Sequence, residues 1–300
     1  MKSARHAGCI DVAGKDVTVV GRFPRVAKLH AEYHECIADP AAFLARLKES
    51  GVRADVFTFL APVSDPVARH DYLMQPDAVA VLHIDTYQKW WKEQISDKTR
   101  NMVRKAPKKG VVIRVVEFDD ELARGIHAIY DECPMRQGRP SAHYGKDFET
   151  IKRAHATFVE RSVFIGAYLD GKLIGFIKMI LHGGDSASLM QIISMISHRD
   201  KAPTNALLGK AVEICAERGI RHLQYGVWSR RSLGDFKKHH GLVRVELPRY
   251  FVPLNWRGRL ALGMRMHRKL VDFIPGAWQD AFVDLRSRWY SFKYRSQAQV

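Results

Sequence analysis

The sequence predicts an α/β protein built on a mixed sheet, of the α+β kind. Three observations carry this. Between residues 111 and 253, apolar β-branched runs alternate with helical stretches in the order β-α-α-β-β-β-α-β-α-β. Two of the strands, at 163–169 and 172–182, are joined by a two-residue hairpin turn, while others are separated by helices. Apolar residues make up 46% of the 300 and charged residues 27%, which supplies a core and argues against disorder. The longest apolar run, Leu173 to Leu181, is too short to span a bilayer and carries Lys178.

Each element has a local reason. Residues 16–20 and 53–61 read as strands. Asp39-Pro40 opens a helix over 40–49, with proline at its first position. Residues 78–84 read as a strand. Ser96 caps a basic helix that runs to Ala106 and ends near Pro107 and Gly110, with Asp97, Arg100, Arg104 and Lys108 on one face. Residues 111–118 form a strand. Asp119 opens a helix through about Cys133, whose stripe is Leu122, Ile126, Ile129 and Tyr130. A polar loop, Pro134 to Gly145, precedes a helix over 147–162. Strands at 163–169 and 172–182 are joined by the two-residue turn Asp170-Gly171. A strand at 187–197 and a polar break lead into a helix from Thr204 to Arg218, ended by Gly219. A strand at 222–228, a short helix at 232–239 and a strand at 243–253 follow. Beyond them Trp278, Ala281, Phe282, Leu285, Trp289 and Phe292 recur at helical spacing. The chain thus divides into 1–110, 111–255 and 256–300.

The formal net charge is +16, and residues 256–300 are the most basic part, with nine Lys and Arg against three Asp. A second cluster comprises Lys98, Arg100, Arg104, Lys105, Lys108 and Lys109. Such a balance predicts attraction to nucleotide phosphates, RNA or anionic lipid. Cys9, Cys36, Cys133 and Cys215 match neither a zinc pattern nor a disulfide framework, so reduced thiols in a cytoplasmic protein are expected. Met1 to His6 lack the apolar segment of a secretory signal. His30-Ala31-Glu32-Tyr33-His34-Glu35 alternates as a strand does and lacks the spacing of a helical ligand pair, so no metal is expected.

The succession over 111–253 resembles the GNAT acyltransferase superfamily. Leu173-Ile174-Gly175-Phe176-Ile177 is similar to its third strand. Arg199-Asp200-Lys201, with the helix ending Ala216-Glu217-Arg218-Gly219, is similar to its phosphate-binding loop and helix. Leu233-Gly234-Asp235-Phe236-Lys237-Lys238-His239-His240-Gly241 and the basic stretch Arg100 to Ala106 resemble the FemAB branch. The resemblance implies a GNAT-like acyltransferase domain over 111–255 and a shortened, degenerate GNAT-like module over 1–110. Two features depart from the pattern. Pro203, Thr204 and Asn205 stand where the coenzyme A loop has glycines, and Lys237 stands where many members place a tyrosine general acid.

The donor of such enzymes carries a pyrophosphate. A helix start suits it, because free backbone N–H groups and the helix dipole favour anions. Thr204 and Asn205 open such a helix, and Arg199 and Lys201 add charge before it. The resemblance implies that main-chain atoms around Ile192 and Ser194 pair with the donor arm. It also implies that Lys237 is a point charge on a donor phosphate or a developing anion. The acceptor side is expected in the loop that gathers Glu132, Arg136, Gln137, Arg139, His143 and Tyr144. Glu132 or His143 would take the amine proton, with Tyr144 completing the catalytic set. Arg136 and Arg139 suit bidentate binding of phosphate or carboxylate, with Gln137 between them.

The expected function is N-acyl transfer of an acyl or aminoacyl group from a phosphate-bearing donor to an amine, without a metal. Acetyl-CoA or another acyl-CoA is the first choice of donor and aminoacyl-tRNA the second. Family analogy suggests a cell-wall or polysaccharide precursor, glycan or peptide, as acceptor. Direct attack by the amine is expected, since no Ser-His or Cys-His arrangement is legible. The competing expectation is a non-catalytic protein of the same fold that binds RNA or anionic membrane through its basic surface. Residues 256–300 suit either packing over the domain or lying on an anionic membrane, which would place a cytoplasmic protein at the inner membrane face.

Overall fold

The structure, a computed structural model, describes residues 8–266 apart from Gln137 and Arg230. The apolar stripe from Trp278 to Phe292 lies outside the described residues, as does the predicted substrate residue Gln137.

In chain order the elements are β1 (Ile10–Val12), β2 (Lys15–Val20), β3 (Val26–Leu29), α1 (Pro40–Glu49), β4 (Val56–Leu60), β5 (Leu73–His83), α2 (Tyr87–Lys89), which runs on into a wide π-turn at Trp90–Gln94, α3 (Asp97–Lys108), β6 (Val112–Val116) and α4 (Asp120–Asp131). Then come β7 (Met135–Arg136), β8 (Arg139–Pro140), α5 (Phe148–His155), β9 (Ser162–Leu169), β10 (Lys172–Leu181), β11 (Ser186–Ser194), α6 (Pro203–Glu217), β12 (His222–Val227), α7 (Arg231–His239), β13 (Val243–Pro253) and α8 (Trp256–Gly263).

Local cues explain most boundaries. The side chains of Asp39, Ser96, Asp119 and Asp147 each accept a backbone N–H in the first turn of the helix that follows. Asp170 and Gly171 both adopt positive φ, 48° and 77°, the geometry of a tight hairpin between β9 and β10. Three expectations are corrected. The helix predicted over 147–162 stops at His155, because Phe158 adopts left-handed φ of 55° and a 3₁₀ turn follows. Residues 30–34 form turns rather than a strand. The loop over 134–145 contains the small hairpin β7–β8, which reverses at Gly138 with φ 72°.

Among the described residues eleven strands form one sheet in the order β1-β2-β3-β4-β13-β5-β12-β11-β10-β9-β6. Both faces of its central part are covered. On one face Trp90, Ala106, Leu207, Leu208 and Ala211 of the α2–α3 region and α6 pack on Ile177, Met179, Leu189 and Leu223. On the other, Leu122, Ile126 and Ile129 of α4 and Ile151 of α5 pack on Phe164 and Phe176. Burial on both faces is why β10 reads as a nearly continuous apolar run.

Two features position the site. β13 lies between β4 and β5, and β5 lies between β13 and β12, so strands from 1–110 and 111–255 interleave. The parallel strands β11 and β12 pair only at Ser186↔His222, Ala187↔Leu223 and Ser188↔Gln224. Beyond those pairs β11 stays on β10 as far as Gly175↔Ser194. β12 instead shifts register against β5 between Gln224 and Val227. The two strands therefore splay at their C-terminal ends.

Candidate functional site

The splay opens into a cleft of about 680 Å³. Its walls are Ile192 to Ile196 of the β11 end, Tyr225 of β12, and Leu233 and Phe236 of α7. Ala202 to Asn205 close one end, and Arg136 and Arg199 line it. The sequence builds the closed end locally. Ala202 takes left-handed φ of 55°, Pro203 occupies the first helical position, and no side chain caps the first turn of α6. The hydroxyls of Ser194 and Thr204 share a hydrogen bond of 2.7 Å, which ties the free strand end to the helix start. In that first turn Pro203 has no N–H and the amides of Asn205 (3.2 Å) and Ala206 (3.4 Å) donate to the Ala202 carbonyl, so the Thr204 amide is the donor left at the cleft end of α6.

The expected donor residues divide. Ile192, Ser194, Arg199, Thr204 and Asn205 line the cleft together. Lys201 does not; its ammonium lies 3.2 Å from Asp200 and 3.4 Å from His198 Nδ1. The side chain of Asn205 donates to Nε2 of His240 at 3.2 Å, while Nδ1 of that imidazole donates to the Phe236 carbonyl at 2.8 Å. Burial holds the His240 pKa at about 4, so the ring is neutral and its Nε2 can accept. Lys237 also departs from expectation. Its buried ammonium donates to the carbonyls of Tyr225 at 2.8 Å and Val227 at 2.7 Å and to Ser229 Oγ at 3.0 Å. Burial lowers its pKa to about 8. Instead of standing in the cleft as a point charge, it satisfies carbonyls at the end of β12 that have lost their β11 neighbour.

The expected acceptor loop divides as well. Glu132, at the end of α4, was expected to take a proton and instead acts as a brace. Its carboxylate accepts from the amides of Ile196 (2.6 Å) and Ser197 (2.9 Å), from the Ser197 hydroxyl (2.7 Å) and from Arg136 (3.0 Å). Partial burial alone would raise its pKa, but the Ser197 and Ile196 hydrogen bonds and the Arg136 charge outweigh it and hold the pKa below the usual value. Arg136 in turn donates through its two terminal nitrogens to the carbonyls of Ser194 (2.9 Å) and Ile129 (2.8 Å), while its buried Nε has no hydrogen-bond partner among the described residues. Arg139 and Tyr144 are exposed on the surface.

His143 lies in a second cavity, with His30, His34, Tyr130, His155, Met190 and Gln191 among its lining. Its ring stacks on Tyr130, centroids 4.2 Å apart, and the Tyr130 hydroxyl meets His155 Nε2 at 3.0 Å. Burial lowers the His143 pKa, and the charges of Lys146 and Arg136 lower it further. The two cavities share strand β11, Met190 and Gln191 facing one and Ile192 to Ser194 the other. Tyr130, Tyr225, Phe236 and His240 are site residues that sequence reasoning missed. Tyr130 is part of the helical stripe read as core, Phe236 and His240 lie in the segment that carried the resemblance but were given no role, and Tyr225 carries no spacing that marks it. Among the described residues no group of three or more His, Cys, Asp or Glu is placed to hold a metal.

Residues 93–238 match the acetyltransferase (GNAT) domain. The chain carries a GNAT domain. The protein is thereby an acyltransferase, and the match begins upstream of residue 111, taking in α3. No curated protein matches the chain. Solved structures share the fold over most of its length. FemX covers 83% of this chain and 85% of its own, with a TM-score of 0.58 and 12% identity. L-PGS from Bacillus licheniformis covers 93% and 88%, with a TM-score of 0.54 and 14% identity. The C-terminal domain of a putative lysylphosphatidylglycerol synthetase from Agrobacterium fabrum covers 87% and 88%, with a TM-score of 0.52 and 13% identity. This GNAT domain thus sits in a FemAB-like fold that extends beyond it on both sides.

Proposed function

We propose that the protein transfers an acyl or aminoacyl group from a phosphate-bearing donor, held in the β11–β12 cleft, to an amine that approaches from the His143 side of β11. The observation that carries the reading is the separation of β11 from β12 after Ser188 and Gln224, with an uncapped helix start closing the gap. Acyl-CoA is the first donor class. The volume of the cleft, the Thr204 end of α6 and Arg199 suit a diphosphate and an extended arm. Aminoacyl-tRNA is the second, in keeping with a fold shared with a putative lysylphosphatidylglycerol synthetase. The donor supplies an activated carbonyl. The chain's part is to hold it, through the exposed edge of β11 at Ile192 and Ser194 and through the first turn of α6.

Glu132 and Arg136 keep that edge in place by gripping residues 194, 196 and 197, Arg136 from within the lining of the cleft. His143, whose pKa burial and the charges of Lys146 and Arg136 hold below the ordinary value, presents a neutral ring at pH 7 and is the group on this side that would take a proton from the attacking amine. As the amine nitrogen bonds the carbonyl carbon, the bond to the carrier breaks and the carrier leaves with the electron pair. The acceptor amine belongs to a glycan or peptide precursor by analogy of fold alone. The segment 1–110 is, on this reading, a reduced first module that supplies β5 to the sheet and His30 and His34 to the acceptor-side cavity.

Calorimetric titration of acetyl-CoA into wild type and Arg199→Ala tests the donor site. Binding to wild type that weakens about tenfold in the variant is expected, as for loss of a charge-assisted phosphate contact. Absence of heat with acetyl-CoA, together with absence of a gel shift with aminoacyl-tRNA, would remove the reading.

A further inference from the structure

The outer face of α8 is apolar where a surface helix is ordinarily polar. Trp256 is 71% exposed, Leu260 50% and Met264 63%, at successive i, i+4 positions. This exposure follows from a locked register. Asn255 caps the helix by accepting from the Gly258 amide, and its own amide nitrogen donates to the Ala54 carbonyl. Gly258 lies against the Asp55 carbonyl so closely that a Cβ there would stand 1.9 Å from the oxygen. Ala261 and Leu262 are buried, Leu262 against Val56 and Phe251. With those three residues inward, the large apolar side chains must point out. The Arg257 guanidinium stands 5.3 Å from the ring of Phe23, itself 42% exposed, so the patch continues onto the turn between β2 and β3.

The chemistry around the patch selects its occupant. Arg257, Arg259 and Arg265 are exposed beside it, Arg257 with Asp55 at 3.8 Å as its acidic neighbour, and no acidic residue occurs from Asn255 to Met266. A protruding tryptophan and two long apolar side chains with arginines at their flanks match a phospholipid interface, where the rings enter the acyl boundary and the guanidinium groups meet phosphates. Among the described residues no helix is long and apolar enough to cross a membrane, so contact would be made along the surface. We propose that α8 docks the protein on an anionic membrane, with Trp256, Leu260 and Met264 inserted and Arg257, Arg259 and Arg265 on the headgroups. The proposal is independent of the donor site, since α8 packs on β13 and β4 and not on the cleft strands.

Co-sedimentation of the full chain with vesicles tests it. Wild type is expected to bind equimolar phosphatidylglycerol–phosphatidylcholine vesicles and not pure phosphatidylcholine ones. Trp256→Ser/Leu260→Ser/Met264→Ser should weaken binding by about tenfold or more, and Arg259→Gln/Arg265→Gln by about fivefold. Trp256→Ser alone gives the same readout should the triple variant fold poorly, and unchanged thermal melts verify the comparison. Three results would overturn the proposal: no binding of wild type to anionic vesicles, full binding by the triple variant and by Trp256→Ser, or a wild type that self-associates where the triple variant is monomeric. The second would assign lipid binding to other residues, and the third would make the face an interface between copies.

Discussion

Glu132 carries more of the site's geometry than any residue that touches the cleft directly. Four donors converge on one carboxylate, two of them amides just past the end of β11. Replacing it with glutamine turns one accepting oxygen into a donor that faces other donors. Glu132→Gln should cost about 2 kcal/mol, in the range of charge-assisted hydrogen bonds, and should weaken donor binding along with stability. Because hydrogen bonding lowers the Glu132 pKa in the folded state, its contribution is complete above the ordinary carboxyl range and fades as acid protonates it. The stability gap between wild type and variant, read by guanidinium denaturation, should therefore be wide at about pH 7 and narrow at about pH 3. None of this was legible in the sequence. Glu132 and Ser197 lie 65 positions apart, and a charged loop residue looks the same whether it is free or fully hydrogen-bonded. Lys237 teaches the same lesson. The Phe236-Lys237 pair was recognisable, yet what the ammonium touches depends on β12 bending away from its neighbour.

At the scale of elements, α7 holds the free wall of the cleft in place. Gly234 packs against the chain so tightly that a Cβ would lie 2.2 Å from the Ser229 carbonyl oxygen. Gly234→Ala should push the helix outward and draw Lys237 off the β12 carbonyls. The expected loss is about 1–3 kcal/mol, the cost of overpacking, with donor affinity reduced in the same variant. Urea denaturation and calorimetry read both effects. Elements whose limits rest on a short cue were predicted well. Pro40 to Glu49, with Asp39 as its cap, and the strand from Val243 to Pro253 match the expected ranges. Elements defined by distant partners were not. β5 begins at Leu73 rather than near residue 78, because its first half is a strand only through pairing with β13, from Leu73↔Phe251 onward. The hairpin β7–β8 escaped notice because Met135-Arg136 and Arg139-Pro140 are too short to show alternation.

Over the whole molecule, buried neutral imidazoles make stability depend on pH in one direction. Burial lowers the pKa of His34 and His155 to about 3 and that of His182 and His240 to about 4. The unfolded chain takes up protons near the ordinary histidine value while the folded chain resists them. Stability is therefore complete above about pH 6.5 and falls as the pH drops below it. Lys178, buried in β10 and donating to the carbonyls of His155 and Thr157, has its pKa lowered to about 7 by burial. Folding then becomes more favourable as the pH rises from that value toward the ordinary lysine range. Denaturation midpoints should be higher at about pH 8.5 than at about pH 5.5, and equal midpoints would contradict the buried, neutral state of these groups.

The position of β13 has a consequence for the life of the polypeptide. The last strand of the sheet to leave the ribosome is also one of its most central, and until it arrives β4 and β5 lack the partner that joins them. A chain released before about residue 253 would leave two half-sheets with open edges, β4 on one and β5 on the other. Premature termination or trimming within that strand would thus leave unpaired strand edges of the kind that pair with other chains.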